Sequence, residues 1–238
     1  MGARLLTTAI AAAAIAVGLA ALASGAPLQR VTPHGRPAIP PAERLAVRVV
    51  RPTGVAVFDA PGGRRLGLLP MRTEWGSPRV MPVIRSEGPW LRVLADVAGR
   101  RSAWVLASGG ALSLRAQRYA LVASRSRGTL TVFDRGRAER TIQVAFGASV
   151  SPTPVGRFAV TDRLSGAGYG GAYGCCILAL NGHQPHLPPG WTGGDRVAIH
   201  ATERPALSPS SGCVVGTDAD LRYLMRRAPL GTPVTIRP

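Results

Sequence analysis

The sequence contains no lysine. Its 29 basic residues are all arginine, against 12 acidic ones, for a net charge of +17 over 238 residues. An all-arginine set reads first as compositional bias, but the charge still favours anionic surroundings such as wall polymers or anionic lipid. Nucleic acid is not expected as a partner, because aromatics are only 5% of the chain and the arginines are scattered. Cysteine is also scarce. Cys175, Cys176 and Cys213 include no Cys-x-x-Cys pair, and the four histidines do not cluster with them, which argues against a zinc site. An odd number leaves at least one free thiol. Adjacent Cys175 and Cys176 are expected not to bridge each other, since the geometry is strained, and to be buried.

Only one long hydrophobic run is present. Leu5–Ala23 is apolar and alanine-rich, follows Arg4, and ends in Ala21-Leu22-Ala23, an A-x-A cleavage pattern. Residues 1–23 are therefore expected to be a signal peptide, or else an uncleaved anchor. Either puts the remainder outside the cytoplasm, at the cell wall or the outer membrane face. Residues 24–43, rich in proline, read as a linker.

The rest predicts a mainly β protein. Over residues 44–108, short runs at Leu45–Val50, Val55–Phe58, Leu66–Leu69, Val80–Ile84, Leu91–Leu94 and Ala103–Leu106 are split by Gly, Pro and charged residues, as in a small barrel. Gly88-Pro89-Trp90-Leu91-Arg92-Val93 and Trp104-Val105 resemble bacterial SH3-like domains. Residues 116–238 predict a second β-rich unit with one helix. Strands are expected at Tyr119–Ala123, Thr129–Phe133, Arg140–Phe146, Phe158–Thr161, Cys176–Leu180, Arg196–His200 and Val234–Ile236. Ser165–Gly174 reads as a mobile glycine-rich loop. Leu221, Leu224, Met225 and Ala228 have helical spacing, with Asp218 as cap and Asp220 in the first turn.

Cys213 lies in Ser210-Ser211-Gly212-Cys213-Val214-Val215, read as a loop running into that helix. A thiol there would have a lowered pKa, and backbone N–H groups there could hold an oxyanion. His200, thirteen positions earlier at a strand end, could supply the base of a nucleophilic acyl transfer. The residues alone leave a buried structural cysteine and a hydrogen-bonded histidine as the rival reading.

Val197-Ala198-Ile199-His200-Ala201-Thr202, followed by Ser210-Ser211-Gly212-Cys213-Val214, resembles the signature of the YkuD-type L,D-transpeptidases. Thr153-Pro154-Val155-Gly156-Arg157-Phe158, the hairpin around Arg135-Gly136, and Gly231-Thr232-Pro233-Val234 match further family marks in order over about 120 residues. The resemblance implies a cysteine acyltransferase with Cys213 as nucleophile and His200 as general base and acid. It works without cofactor or metal on peptidoglycan stem peptides and forms cross-links. Ser210, Ser211 and Gly212 would serve the oxyanion and substrate, the oxyanion donors being the N–H groups of Gly212 and Cys213. Tyr169 and Tyr173 would serve as a lid, and carbapenem-type inhibitors would acylate Cys213. A monomer is expected. Ala201 stands at the usual Gly, Ser211 at a frequent His, and Val215 at the usual Arg, and the His200–Cys213 loop is short. These departures keep two alternatives open, an L,D-carboxypeptidase and a decayed peptidoglycan-binding protein. His183 and His186 are expected to be solvated.

Overall fold

The computed structural model describes residues 44–202 and 209–238. The expected signal segment and linker, residues 1–43, lie outside the described residues. No helix among the described residues is long and apolar enough to cross a membrane.

The protein is mainly β, with two sheets and, among the described residues, one α-helix. The first sheet holds β1 (Leu45–Val49), β2 (Val55–Phe58), β3 (Arg65–Leu69), β4 (Val80–Glu87), β5 (Trp90–Val97), β6 (Arg100–Leu106) and β7 (Leu112–Ala116). Its order is β3-β2-β6-β5-β4-β1-β7. Alternation explains the burial: Val47, Val49, Val55, Val57, Val83, Val93 and Val105 point into one core, and β-branched side chains pack well on a pleated face. β7 had not been expected. Its sequence, LSLRA, is mostly exposed and carries little hydrophobic signal, yet it pairs along the whole of β1.

The second sheet is built from β8 (Tyr119–Ser124), β9 (Thr129–Asp134), β10 (Arg137–Gln143), β11 (Gly156–Ser165), β12 (Cys176–His183), β13 (Arg196–Ala201), β14 (Val214–Gly216) and β15 (Pro233–Arg237), with helix α1 (Asp218–Arg227) packed on it. Its order is β10-β9-β8-β15-β11-β12-β13-β14, so the last strand returns to pair in parallel with the first. The β9–β10 turn uses Arg135 and Gly136, both with positive φ (48° and 84°), as a tight hairpin requires.

Two expectations about α1 are corrected. Its cap is Thr217, not Asp218: Thr217 Oγ1 accepts from the Asp220 N–H at 3.2 Å and lies 2.7 Å from Asp220 Oδ2. Asp218 is instead the first helical residue, and its Oδ1 accepts from the Cys175 N–H at 2.9 Å. The expected direct passage from Cys213 into the helix is also wrong, because β14 intervenes. Val214, Val215 and Gly216 pair with β13, and Val215 also bridges to Ala145 on the other side, which short-range propensity could not reveal. The segment Ser165–Gly174, expected as a mobile glycine-rich loop, holds two short 3-10 turns, Gly166–Tyr169 and Gly171–Tyr173.

Candidate active site

The β13–β14 pairing builds the site. These strands run parallel with Ile199 opposite Val214, His200 opposite Val215 and Ala201 opposite Gly216. Side chains alternate along a strand and paired residues share a face. Ile199, Ala201 and Val214 therefore enter the core. Ala198 and His200 turn to the other face, joined there by Cys213 and Val215. His200, Cys213 and Val215 line a cleft of about 220 Å³, together with Ser210, Ser211, Gly212 and Tyr173.

His200 is buried. Its Nδ1 lies 2.6 Å from the Ala201 carbonyl oxygen. A carbonyl only accepts, so Nδ1 carries the proton and Nε2 keeps its lone pair. Burial lowers the His200 pKa below its usual value, opposed in part by the hydrogen bond to Ala201. The imidazole at rest is a neutral base. Tyr173 covers it, with ring centroids 4.8 Å apart. Burial raises the Tyr173 pKa, and the neighbouring Cys213 adds to this. Tyr169 is 45% exposed and does not line the cleft; it packs edge-on against Tyr173 at 5.9 Å. Of the two lid candidates, Tyr173 faces the cleft and Tyr169 braces it from outside.

Cys213 is the free thiol among the described residues, partly exposed at the cleft floor. The dense surroundings push its pKa up to about 11, with the Ala198 N–H opposing in part. This corrects the expected lowering. The helix is displaced by β14 and Thr217, so no helix N-terminus stabilises a thiolate at Cys213. Cys175 and Cys176 were expected to stay unbridged, but they form a disulfide. Gly174, at φ 51°, turns the chain so that the Cys175 N–H is pinned to Asp218, bringing the adjacent sulfurs together at the start of β12.

A buried polar frame shapes the loop before Cys213. Ser210 Oγ donates to the Cys213 carbonyl at 2.6 Å and accepts from the Gly212 N–H at 3.1 Å. The Gly212 N–H, expected to hold an oxyanion, is thus engaged by the Ser210 hydroxyl. Ser151 Oγ reaches the Ser211 carbonyl at 2.9 Å, and Thr153 Oγ1 accepts from the Gly147 N–H at 2.7 Å. Gln184 Nε2 donates to the Ser151 and Pro152 carbonyls at 3.2 and 3.1 Å. All three side chains are buried. Thr153 had stood out only as part of a motif. Ser151 and Gln184 had no sequence signal, since a polar residue in a loop is ordinarily solvated.

Gly212 has φ 117°, and a Cβ there would lie 2.0 Å from Gln184 Nε2 and 2.8 Å from its Cδ. Gln184 cannot swing away without breaking its hydrogen bonds. Gly212→Ala is therefore expected to cost about 1–3 kcal/mol and to slow acylation of Cys213 at least ~10-fold. Thermal melts and adduct formation rates measure both, and an unchanged rate would dismiss the frame as a positioning device.

Val215, at the usual arginine, is buried beside His200. Its N–H and carbonyl exchange hydrogen bonds with Ala145 at 2.9 and 2.8 Å. The far wall of the cleft includes Leu187, Trp191, Asp195 and Arg196, none of them expected. Arg196 bonds Glu74 of the first sheet at 2.7 Å and lies over Trp75. His183 is exposed as expected but is not merely solvated. Its Nε2 is 2.7 Å from Asp96 Oδ2 on β5, and its Nδ1 is 2.8 Å from Asp195 Oδ1. Both ring nitrogens thus face carboxylates, one from each side. The cleft wall is thus tied to the first sheet. His186 is exposed, as expected.

A neutral imidazole and a thiol facing one cleft from neighbouring strands can perform acyl transfer through a thioester. Residues 118–236 match the YkuD L,D-transpeptidase catalytic domain, half of the chain, and the chain belongs to this family. A putative L,D-transpeptidase YkuD of Bacillus licheniformis is 28% identical over 123 residues, covering 50% of this chain and 66% of that protein. The chain thus matches slightly less than two thirds of that relative's length. L,D-transpeptidase 3 from Mycobacterium tuberculosis, solved with a faropenem-derived adduct, aligns with a TM-score of 0.44 and 16% identity over 58% of this chain and 73% of that one. An L,D-transpeptidase from Mycobacterium smegmatis aligns with a TM-score of 0.40 and 14% identity over 83% of this chain and 84% of that one.

Proposed function

We propose that this protein is an L,D-transpeptidase that joins peptidoglycan stem peptides through a thioester on Cys213, with His200 as base and acid. The observation that carries the reading is the β13–β14 register, which turns His200 and Cys213 to one face beneath Tyr173. The family membership supports the reaction class.

The resting pair is a neutral thiol and a neutral imidazole, given a thiol pKa of about 11 and a lowered histidine. The Cys213 proton passes to His200 Nε2 as the sulfur attacks the carbonyl of an L-centre bonded to a D-residue. The C–N bond then breaks, the leaving amine takes the proton from the imidazolium, and a thioester remains. An acceptor amine attacks the thioester, gives its proton to His200, and the thiol re-forms with it. The Cys213 N–H is the remaining oxyanion donor of the expected pair, because Ser210 engages that of Gly212. Water as acceptor would make the same site a carboxypeptidase. The reading calls for a location outside the cytoplasm, which an export signal over residues 1–23 would supply.

The test is a tetrapeptide stem fragment incubated with the full chain and followed by mass spectrometry. A dimer formed with loss of one terminal D-residue is the expected product. Shortened monomer alone would replace the transpeptidase by a carboxypeptidase. No product, from folded protein with its thiol reduced, would favour a wall binder without activity.

A further inference from the structure

We propose that a second, arginine-lined depression, remote from the catalytic cleft, binds the phosphate-diester groups of a repeating anionic polymer. This site does not rest on the catalytic reading, and the two cavities share no lining residue.

The depression, of about 550 Å³, lies where β1 and β7 of the first sheet meet β11 and the turn after α1. Ala46 pairs with Arg115 and Arg48 pairs with Ser113, so Arg48 and Arg115 stand diagonally on one face of adjacent strands. Arg163 approaches from β11, its guanidinium donating to the Met225 carbonyl. No Asp or Glu lines the depression. Arg48 Nε is buried and has no hydrogen-bond partner among the described residues.

This contrasts with other arginines. Arg118 pairs with Asp134, Arg140 with Asp220, Arg196 with Glu74 and Arg227 with Glu139. Three converging cations without a carboxylate repel one another unless an anion joins them. A guanidinium fork matches two phosphate oxygens. The depression, at about 550 Å³, is larger than one phosphate needs. Ala46, Val80, Pro229 and Leu230 give it apolar floor on which the carbon spacer between successive phosphates can lie. A net charge of +17 would draw such a polymer in from a distance.

The experiment is calorimetric titration of the full chain with poly(glycerol phosphate) at two salt concentrations. Arg48→Gln/Arg115→Gln is compared with Arg125→Gln/Arg127→Gln, which removes the same charge from an exposed hairpin. The first pair is expected to weaken binding roughly tenfold or more, and the second less than about twofold. Equal weakening by both, or no binding by wild type, would overturn the site. Arg115→Gln alone, on the exposed β7, carries the comparison if the double variant melts early. Phosphatidylglycerol vesicles form the second arm, and binding to vesicles but not to polymer would overturn the polymer assignment.

Discussion

Cys213→Ala is expected to abolish the covalent adduct with a carbapenem or faropenem and to reduce turnover by roughly three orders of magnitude or more. Intact mass separates the two proteins directly: one adduct per wild-type chain, none on the variant. The wild-type thiol also has a distinctive pH dependence. The dense surroundings of the cleft floor raise its pKa to about 11. Thiolate is the reactive form, so native Cys213 should react with iodoacetamide more slowly at pH 7 than the same thiol in unfolded protein. The rate should climb through pH 8–10 without a plateau. Fast labelling at neutral pH would instead mean a thiolate–imidazolium pair at rest, and would overturn the neutral pair. Because Cys175 and Cys176 are joined, the non-reduced protein should take up a single label.

His200→Gln is expected to lower kcat/KM by about 10²–10⁴, the usual contribution of a positioned general base. It should also remove the acid limb of the wild-type pH profile, which a purely structural histidine would not supply. Burial holds the His200 pKa below 6.5. Wild-type activity should therefore persist as pH falls past 6.5 and fail only where His200 itself takes a proton. Stability follows the same group. The unfolded chain binds a proton near pH 6.5, while the folded chain binds it only at lower pH. Between those values the unfolded state holds more protons, so the contribution of neutral His200 is complete above pH 6.5 and declines as pH falls toward the folded pKa. Thermal melts at pH 5 and pH 8 should differ less for His200→Gln than for wild type. An equal difference in both would assign the acid sensitivity elsewhere.

Cys213 and His200 stand out in the sequence because their neighbours are informative, a Gly-Cys after serines and an apolar strand ending in histidine, and the structure lines one cleft with both. The strands β2, β9 and β13 and the helix α1 were legible for the same reason, since each has a clear apolar period. β7 and β14 were missed. One is mostly exposed, and the other is three residues long. Their pairing comes from distant partners, which a local pattern does not carry. Ser151 and Gln184 were missed because their function is to be buried with hydrogen bonds to backbone far along the chain. His183 is exposed as expected, but its partners were not legible, because the two carboxylates that face it come from positions 96 and 195.

By itself the sequence determined the mainly β class, the family signature and the two side chains proposed to exchange a proton, all encoded in composition, short-range order and residue chemistry. The ionisation of those side chains was decided only by the tertiary structure. β14 separates Cys213 from α1, so burial, not a helix end, sets its pKa. A backbone carbonyl fixes the tautomer of His200. Charge on a side chain depends on what surrounds it in three dimensions, and in this fold those surroundings come from residues far apart in the chain.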